Sequence, residues 1–236
     1  MKLFRYVQQG QARVGVMPSG TSHQFVDLAM LDATASPEIS ALFDPVVRER
    51  VAHKLSQTPA DAFQSLAHVQ FEVPIAQPPK IVCMGLNYAD HAKELDFKAP
   101  EEPLAFVKGE SSLIGHRAFT VRPDNVMFMH YECELAVVIG KPAKRVKKAD
   151  ALQYVAGYTV ANDYAIRDYL ENWYRPNLKV KNRDTGTPIG PWLVDAADVP
   201  DPQALALRTT VNGHVTQQGH TRDMIFDVPT LIEYFS

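Results

Sequence analysis

The stretch HYECELAVVIG, residues 130–140, sets two glutamates at the head of one of the most apolar runs in the chain. Its early alternation and its wholly apolar tail predict a β-strand that runs from a polar end into a core. In such a strand Glu132 and Glu134 share a face, with Cα atoms about 6.5–7 Å apart, while Tyr131, Cys133 and Leu135 take the other. Burying one unpaired carboxylate is costly, and burying two together costs more, because each disfavours the ionised form of the other. A divalent cation would resolve that conflict, since Mg²⁺ and Mn²⁺ take oxygen ligands. An edge strand with a solvated glutamate face would resolve it too, and the strand alone leaves both readings open.

The neighbouring segments add chemistry. YTVAND (158–163) predicts a second apolar strand ending at Asp163, a third carboxylate placed to converge on the first two; its plainer role is the N-cap of a following helix. In GLNYADHAKEL (85–95), His91 and Glu94 are three apart on a predicted helix and meet on one face. A carboxylate beside an imidazole orients it and raises its basicity, as a general acid/base needs; an exposed, weak ion pair is the plainer reading. Gly85, Asn87 and Tyr88 follow the end of a predicted strand. LKVKNRDTGTP (178–188) carries Lys179, Lys181, Arg183 and Asp184, either as a solvated loop or as a cradle for an anionic substrate.

Around these motifs the 236 residues divide in two. Residues 1–72 predict a small α/β domain. It has a hairpin (KLFRYV and ARVGVM around Gln8 to Gln11) and a strand near Phe25 to Leu28. A helical segment follows, SPEISALFDPVVRERVAHKLSQ, with Ser36 as N-cap, broken in two by Pro45. VPIAQPPK (73–80) reads as a stiff linker. Residues 81–236 predict strands at IVCMGL, LAFVKG, HYECELAVVIG, YTVAND and GPWLV. Helices are expected at NYADHAKELDF, KADALQYVAG (ending at Gly157) and AIRDYLENWY, with a polar loop from Arg175 to Thr187. A hairpin turns at Asn212-Gly213, and a helix starts after Asp227 with Pro229 in its first turn. Strands and helices at uneven spacing predict an α+β fold on mixed sheets.

A net charge of −3 argues against a nucleic-acid partner. The one dense basic run, KPAKRVKK (141–148), reads as a solvated turn. Cys83 and Cys133 alone make neither a disulfide framework nor a zinc site and read as buried thiols in a reducing compartment. No apolar run approaches the roughly 20 residues needed to span a membrane, and the N-terminus lacks a signal-peptide core, so a cytoplasmic protein is expected.

In order, GLNYADHAKEL, FVKG, HYECELAVVIG, GYTVANDYAIRD, KNRDTGTPIGPW and VNGHVTQQGHT resemble the core motifs of the fumarylacetoacetate hydrolase family, from about residue 80 to the end. The resemblance implies a mixed β-roll catalytic domain, a homodimer, and Mg²⁺ or Mn²⁺. Carried over by motif, it makes Glu132, Glu134 and Asp163 the metal ligands, His91 and Glu94 the acid/base pair, and Lys181 the active-site lysine. Tyr88 and Lys108 become substrate contacts, with Arg175, Lys179 and Arg183 as candidates for a distal carboxylate. NDYAIRDYLENWYRPNLKVKNRDTGTP looks like one branch, which decarboxylates 5-oxopent-3-ene-1,2,5-tricarboxylate and isomerises 2-hydroxyhepta-2,4-diene-1,7-dioate. The alternatives are an acylpyruvate-type C–C hydrolase and a non-catalytic metal-binding scaffold subunit. Family members carry a further closing segment with a Gly-Thr-Pro turn, so 81–236 is expected to lack part of the roll.

Overall fold

The computed structural model describes residues 1–21, 23–90, 98–170 and 177–236. Strands β1 (Lys2–Gln8) and β2 (Gln11–Met17) form the expected hairpin, in register from Lys2↔Met17 to Gln8↔Gln11. Their side chains bury on both faces. Leu3, Val14 and Val16 pack with Leu28, Ile39, Val51 and Leu193, whereas Phe4, Tyr6 and Met17 join an aromatic cluster with Phe25 and Phe71. β3 (Gln24–Asp27), β4 (Gln64–Ser65) and β5 (Gln70–Glu72) complete this part of the sheet. Asp27 caps a short helix, Leu28–Leu31, that continues β3 directly.

The expected N-cap at Ser36 gives way to Asp44. A 3-10 turn, Ile39–Phe43, has no side-chain cap, and Asp44 accepts from Val46 N at the start of helix Pro45–Ser56. An Asp placed directly before a proline at the first helical position leaves that helix start no competitor. The break at Pro45 is as predicted.

Beyond the proline-rich stretch, β6 (Val82–Gly85) pairs antiparallel with β7 (Leu104–Val107). β8 (Leu113–Ile114) and β9 (Met129–His130) are short. β10 (Cys133–Ile139) runs antiparallel to β11 (Val155–Asn162), followed by β12 (Ala165–Ile166), which pairs with β9. β13 (Thr187–Pro188) and β14 (Leu193–Asp195) precede the hairpin β15 (Ala206–Val211) and β16 (His214–His220), which turns at Asn212-Gly213 as predicted. The helix after Asp227 is also as predicted, Val228–Phe235 with Asp227 accepting from Thr230 N.

One eight-stranded sheet has the order β10-β11-β14-β1-β2-β3-β4, with β5 on β1. Its strands come from both sides of residues 73–80, joined where Lys2 faces Val194 and Leu3 faces Leu193. Sheets and helices are mixed, and this path does not close on itself. No helix among the described residues is long and apolar enough to cross a membrane.

Several expectations change. HYECELAVVIG is two strands, broken at Tyr131 and Glu132. KADALQY is a 3-10 helix, Lys148–Tyr154. AIRDYLENWY begins as β12 and a 3-10 turn, Arg167–Tyr169, and the polar loop contains a helical turn, Leu178–Lys181. Most of the helix expected at NYADHAKELDF lies outside the described residues.

Gly157 is not a helix terminus; it lies inside β11 between Val138 and Asp195. A Cβ there would come within 2.3 Å of Val194 O and 3.1 Å of the Leu193 side chain. The missing side chain is what lets β14, and through it β1, approach β11. Gly157→Ala is expected to destabilise the chain by ~1–3 kcal/mol, the usual range for overpacking a core. Urea unfolding measures it, and a change under about 0.5 kcal/mol, the usual limit for surface substitutions, would contradict the close approach.

Candidate active site

The ends of β7, β10 and β11 converge, and charged side chains meet there. Asp163 follows β11 and is buried, with both oxygens engaged: Lys108 Nζ pairs with Oδ1, and Lys181 Nζ donates to Oδ2 at 2.8 Å. Lys181 also donates to Glu132 Oε2 at 2.6 Å and to the Asp163 carbonyl at 3.2 Å, so all three of its protons are used. Arg167 Nη2 donates to the remaining Glu132 oxygen at 3.0 Å. Its Nε is buried without a hydrogen-bond partner among the described residues.

Local backbone chemistry explains these positions. Glu132 stands before β10, not in it. Its N–H donates to Asn162 Oδ1 at 3.0 Å, and its carbonyl accepts from Asp163 N at 2.8 Å. A side chain therefore replaces one rung of the ladder, and the strand breaks there. Asn182, directly after Lys181, brackets Lys108: Oδ1 accepts from Gly109 N at 2.6 Å, and Nδ2 donates to Val107 O at 3.0 Å. Asp168 accepts from Met127 N and Phe128 N, which holds its carboxyl below the usual carboxylate range and ties Arg167's turn to β9.

Glu134 differs from the other two carboxylates. No hydrogen bond or ion pair to it is recorded among the described residues. Burial, then repulsion from Glu132 and Asp163, pushes its pKa up to about 8, against a smaller opposing pull from Lys181. Two weak acids near it stay protonated. Burial first, then Asp163, pushes the Cys83 thiol up to about 12. Burial first, then Glu134, raises the Tyr88 phenol, whose hydroxyl is buried and unpartnered among the described residues.

The structure thus brings Glu132, Glu134, Asp163, Lys108 and Lys181 together, with Tyr88 beside Glu134. Asp163 is not a helix cap. Lys179 is exposed, its Nζ 4.4 Å from the Tyr169 ring centroid, and belongs to no part of the cluster. Arg183 borders a small recess with Lys181, Tyr164 and Met129. His91, Glu94 and Arg175 lie outside the described residues. Sequence reasoning missed Arg167, Asn162 and Asn182. Arg167 was legible as a cation four residues beyond Asp163, had the segment not been read as a helix. Among the described residues, no three His, Cys, Asp or Glu side chains stand close enough to hold an ion by themselves, and the Lys181 ammonium lies between Glu132 and Asp163.

A carboxyl that keeps its proton to about pH 8 when folded, but loses it near its ordinary value when unfolded, favours the folded state most at low pH. In metal-stripped protein its contribution falls as pH rises through that window and levels off above about 8. Glu134→Gln is expected to abolish this fall, on the order of a few kcal/mol between pH 5 and 8. Urea unfolding across pH in EDTA measures it, and parallel curves for the two proteins would contradict the assignment.

Residues 80–236 match the family model described as fumarylacetoacetate (FAA) hydrolase C-terminal. The homoprotocatechuate catabolism bifunctional isomerase/decarboxylase of Escherichia coli is 49% identical over 226 residues, 96% of this chain and 48% of that protein. The 4-hydroxyphenylacetate degradation bifunctional isomerase/decarboxylase of Salmonella dublin is 58% identical over 166 residues, 70% of this chain and 39% of that protein. The chain spans about half the length, or less, of these relatives. Among solved structures, the 2-hydroxyhepta-2,4-diene-1,7-dioate isomerase of Mycobacterium marinum superposes with a TM-score of 0.75 at 30% identity, covering 100% of this chain and 81% of that one. The maleylpyruvate hydrolase of Sphingobium sp. SYK-6, solved with manganese(II) and pyruvate, gives 0.76 at 27%, covering 99% and 82%. The ordered motifs, the matched model and these relatives agree that the chain belongs to the fumarylacetoacetate hydrolase family.

Proposed function

We propose that this chain carries the site of a divalent-metal-dependent decarboxylase/isomerase of aromatic catabolism. Its reactions would be CO₂ release from 5-oxopent-3-ene-1,2,5-tricarboxylate and isomerisation of 2-hydroxyhepta-2,4-diene-1,7-dioate. The observation that carries the reading is the cluster's charge: three carboxylates, Glu132, Glu134 and Asp163, against three cations, Lys108, Lys181 and Arg167. A divalent cation that displaces the Glu134 proton would leave two positive charges on this set, and a dioate brings two negative ones. The two bifunctional relatives are named for the same pair of reaction types, and the Mycobacterium marinum neighbour for the second substrate.

The residues suit the metal. The donor set is oxygen only, as Mg²⁺ and Mn²⁺ require, and Glu134 is a half-buried carboxyl whose only cationic influence, from Lys181, is outweighed by desolvation and by the neighbouring carboxylates. Glu132, Glu134 and Asp163 would hold the ion, which when bound supplies an electrophile for the 2-oxo group and its enolate. Lys181 is a point charge on a four-carbon stem and would exchange its Glu132 contact for a substrate carboxylate. Lys108, its side chain 1% exposed, neutralises Asp163 and so acts on substrate only through that carboxylate. His91, oriented by Glu94, is the proposed proton carrier between carbons. Arg175 and Arg183 remain the candidates for the distal carboxylate; Lys179, turned to Tyr169, is the weaker one.

We read residues 81–236 as the catalytic unit, a mixed β-roll, with 1–72 as a smaller α/β unit pinned to it through β1. The start of the family match at residue 80 supports that division. Exposed Phe119, Met127 and Phe128 offer an apolar surface that a second copy in a homodimer would cover. The two free thiols fit a cytoplasmic setting. The likeness to a maleylpyruvate hydrolase favours a second reading, in which His91 and Glu94 activate water against an acylpyruvate.

EDTA is expected to abolish CO₂ release from the tricarboxylate and Mg²⁺ or Mn²⁺ to restore it. No release at saturating metal, with hydrolysis of an acylpyruvate in parallel assays, would replace the first reading by the second. Lys181→Met is expected to lower kcat/KM by roughly 10²–10³, the scale of losing one charged contact to the reacting substrate. An unchanged kcat/KM would remove Lys181 from the site.

A further inference from the structure

We infer that Gln217 is a positioning residue that fixes the spacing of Glu132 and Glu134, and with it their joint grip on a divalent cation. The inference rests on the metal reading proposed above. β10 is the end strand of the eight-stranded sheet, so one of its edges has no strand of that sheet beside it. Cys133, its first residue, lies between the two glutamates. The β15–β16 hairpin forms a separate sheet and packs on β10 at this end.

The hairpin register slips between Thr209 and Thr210, opposite Gln217 and Val215. Such a bulge re-aims a side chain. Gln217 Oε1 accepts from Cys133 N at 2.9 Å and from Thr209 Oγ1 at 2.9 Å, while Nε2 lies 3.5 Å from Cys133 O as a long donor contact. A carboxamide presents an accepting oxygen beside a donating nitrogen, as a backbone peptide does, so Gln217 stands in for a residue of a neighbouring strand. On the other side, Asn162 and Asp163 hold the N–H and C=O of Glu132. The backbone polar groups of both residues are therefore engaged from two directions, and the peptides carrying the two glutamates cannot turn independently. Without Gln217, the Cys133 N–H would lose its partner and the bracket would open on one side.

A residue that merely pinned the hairpin would lower thermal stability without changing metal affinity. The test measures the Mn²⁺ dissociation constant of the metal-stripped chain by electron paramagnetic resonance of free Mn²⁺, with melting curves alongside. Gln217→Leu is expected to weaken Mn²⁺ binding at least fivefold. Gln217→Glu, which keeps the oxygen that accepts from Cys133 and Thr209, should stay within threefold of the parent. Val215→Ala, on the exposed side of the same hairpin, should match the parent. A Gln217→Leu affinity less than fivefold weaker overturns the inference, whatever its melting temperature. Should that variant not fold, Thr209→Val, which removes the second hydrogen bond to Gln217, is expected to weaken binding at least twofold, and a smaller change overturns it. A parent chain that does not bind Mn²⁺ defeats the metal reading itself, and the inference with it.

Discussion

Two buried ammonium groups sharing the Asp163 carboxylate are the constraint on which the site depends. Lys108 comes from the end of β7, Asp163 from the end of β11, and Lys181 from the helical turn Leu178–Lys181. None of these residues is near another in sequence, and each is at least nine-tenths buried. Such a pair is weak evidence for stability, because desolvation offsets most of the attraction. Breaking one side is different: an uncompensated buried charge costs roughly 3–5 kcal/mol. The cluster therefore specifies a geometry more than it stabilises a fold, and it draws Glu132 in through the same Lys181 ammonium.

The carboxylates differ because their neighbours differ. Glu132 and Asp163 are fully paired, whereas Glu134 faces a neutral thiol and a neutral phenol. In that setting its charge is disfavoured, and a bound cation would restore it. A site with one uncommitted acid next to two committed ones can take up positive charge without dismantling its framework. That is a sounder starting point for reversible ion binding than three equally exposed carboxylates.

The parts of the fold legible in the sequence were those where local pattern and tertiary demand agree. The β1–β2 alternation, the break at Pro45 and the Asn-Gly turn needed no distant partner. The grouping of Glu132, Glu134 and Asp163 came from the family motifs, because the strands alone left a solvated glutamate face and a helix cap open. The rest was hidden by long-range chemistry. The break at Glu132 depends on the Asn162 side chain, the meaning of Gly157 on how closely β14 approaches, and the pairing of Lys108 on a carboxylate 55 residues away. Arg167 was concealed for another reason: the start of a segment with helical composition forms a short strand and a tight turn, where Asp168 binds the backbone just before β9.

The seam between β1 and β14 also bears on how the chain is made. Lys2 and Leu3 pair with Val194 and Leu193, while β5 takes the rest of the same β1 edge. During synthesis at about 5–20 residues per second, β1 waits roughly 10–40 s after it emerges before its partner exists. For that interval the first residues present an open strand edge, a template for wrong partners. Completing the seam joins the N-terminal hairpin to the sheet that carries the carboxylates, so the interval in which the nascent chain can mispair is also the interval before its site can be held in place.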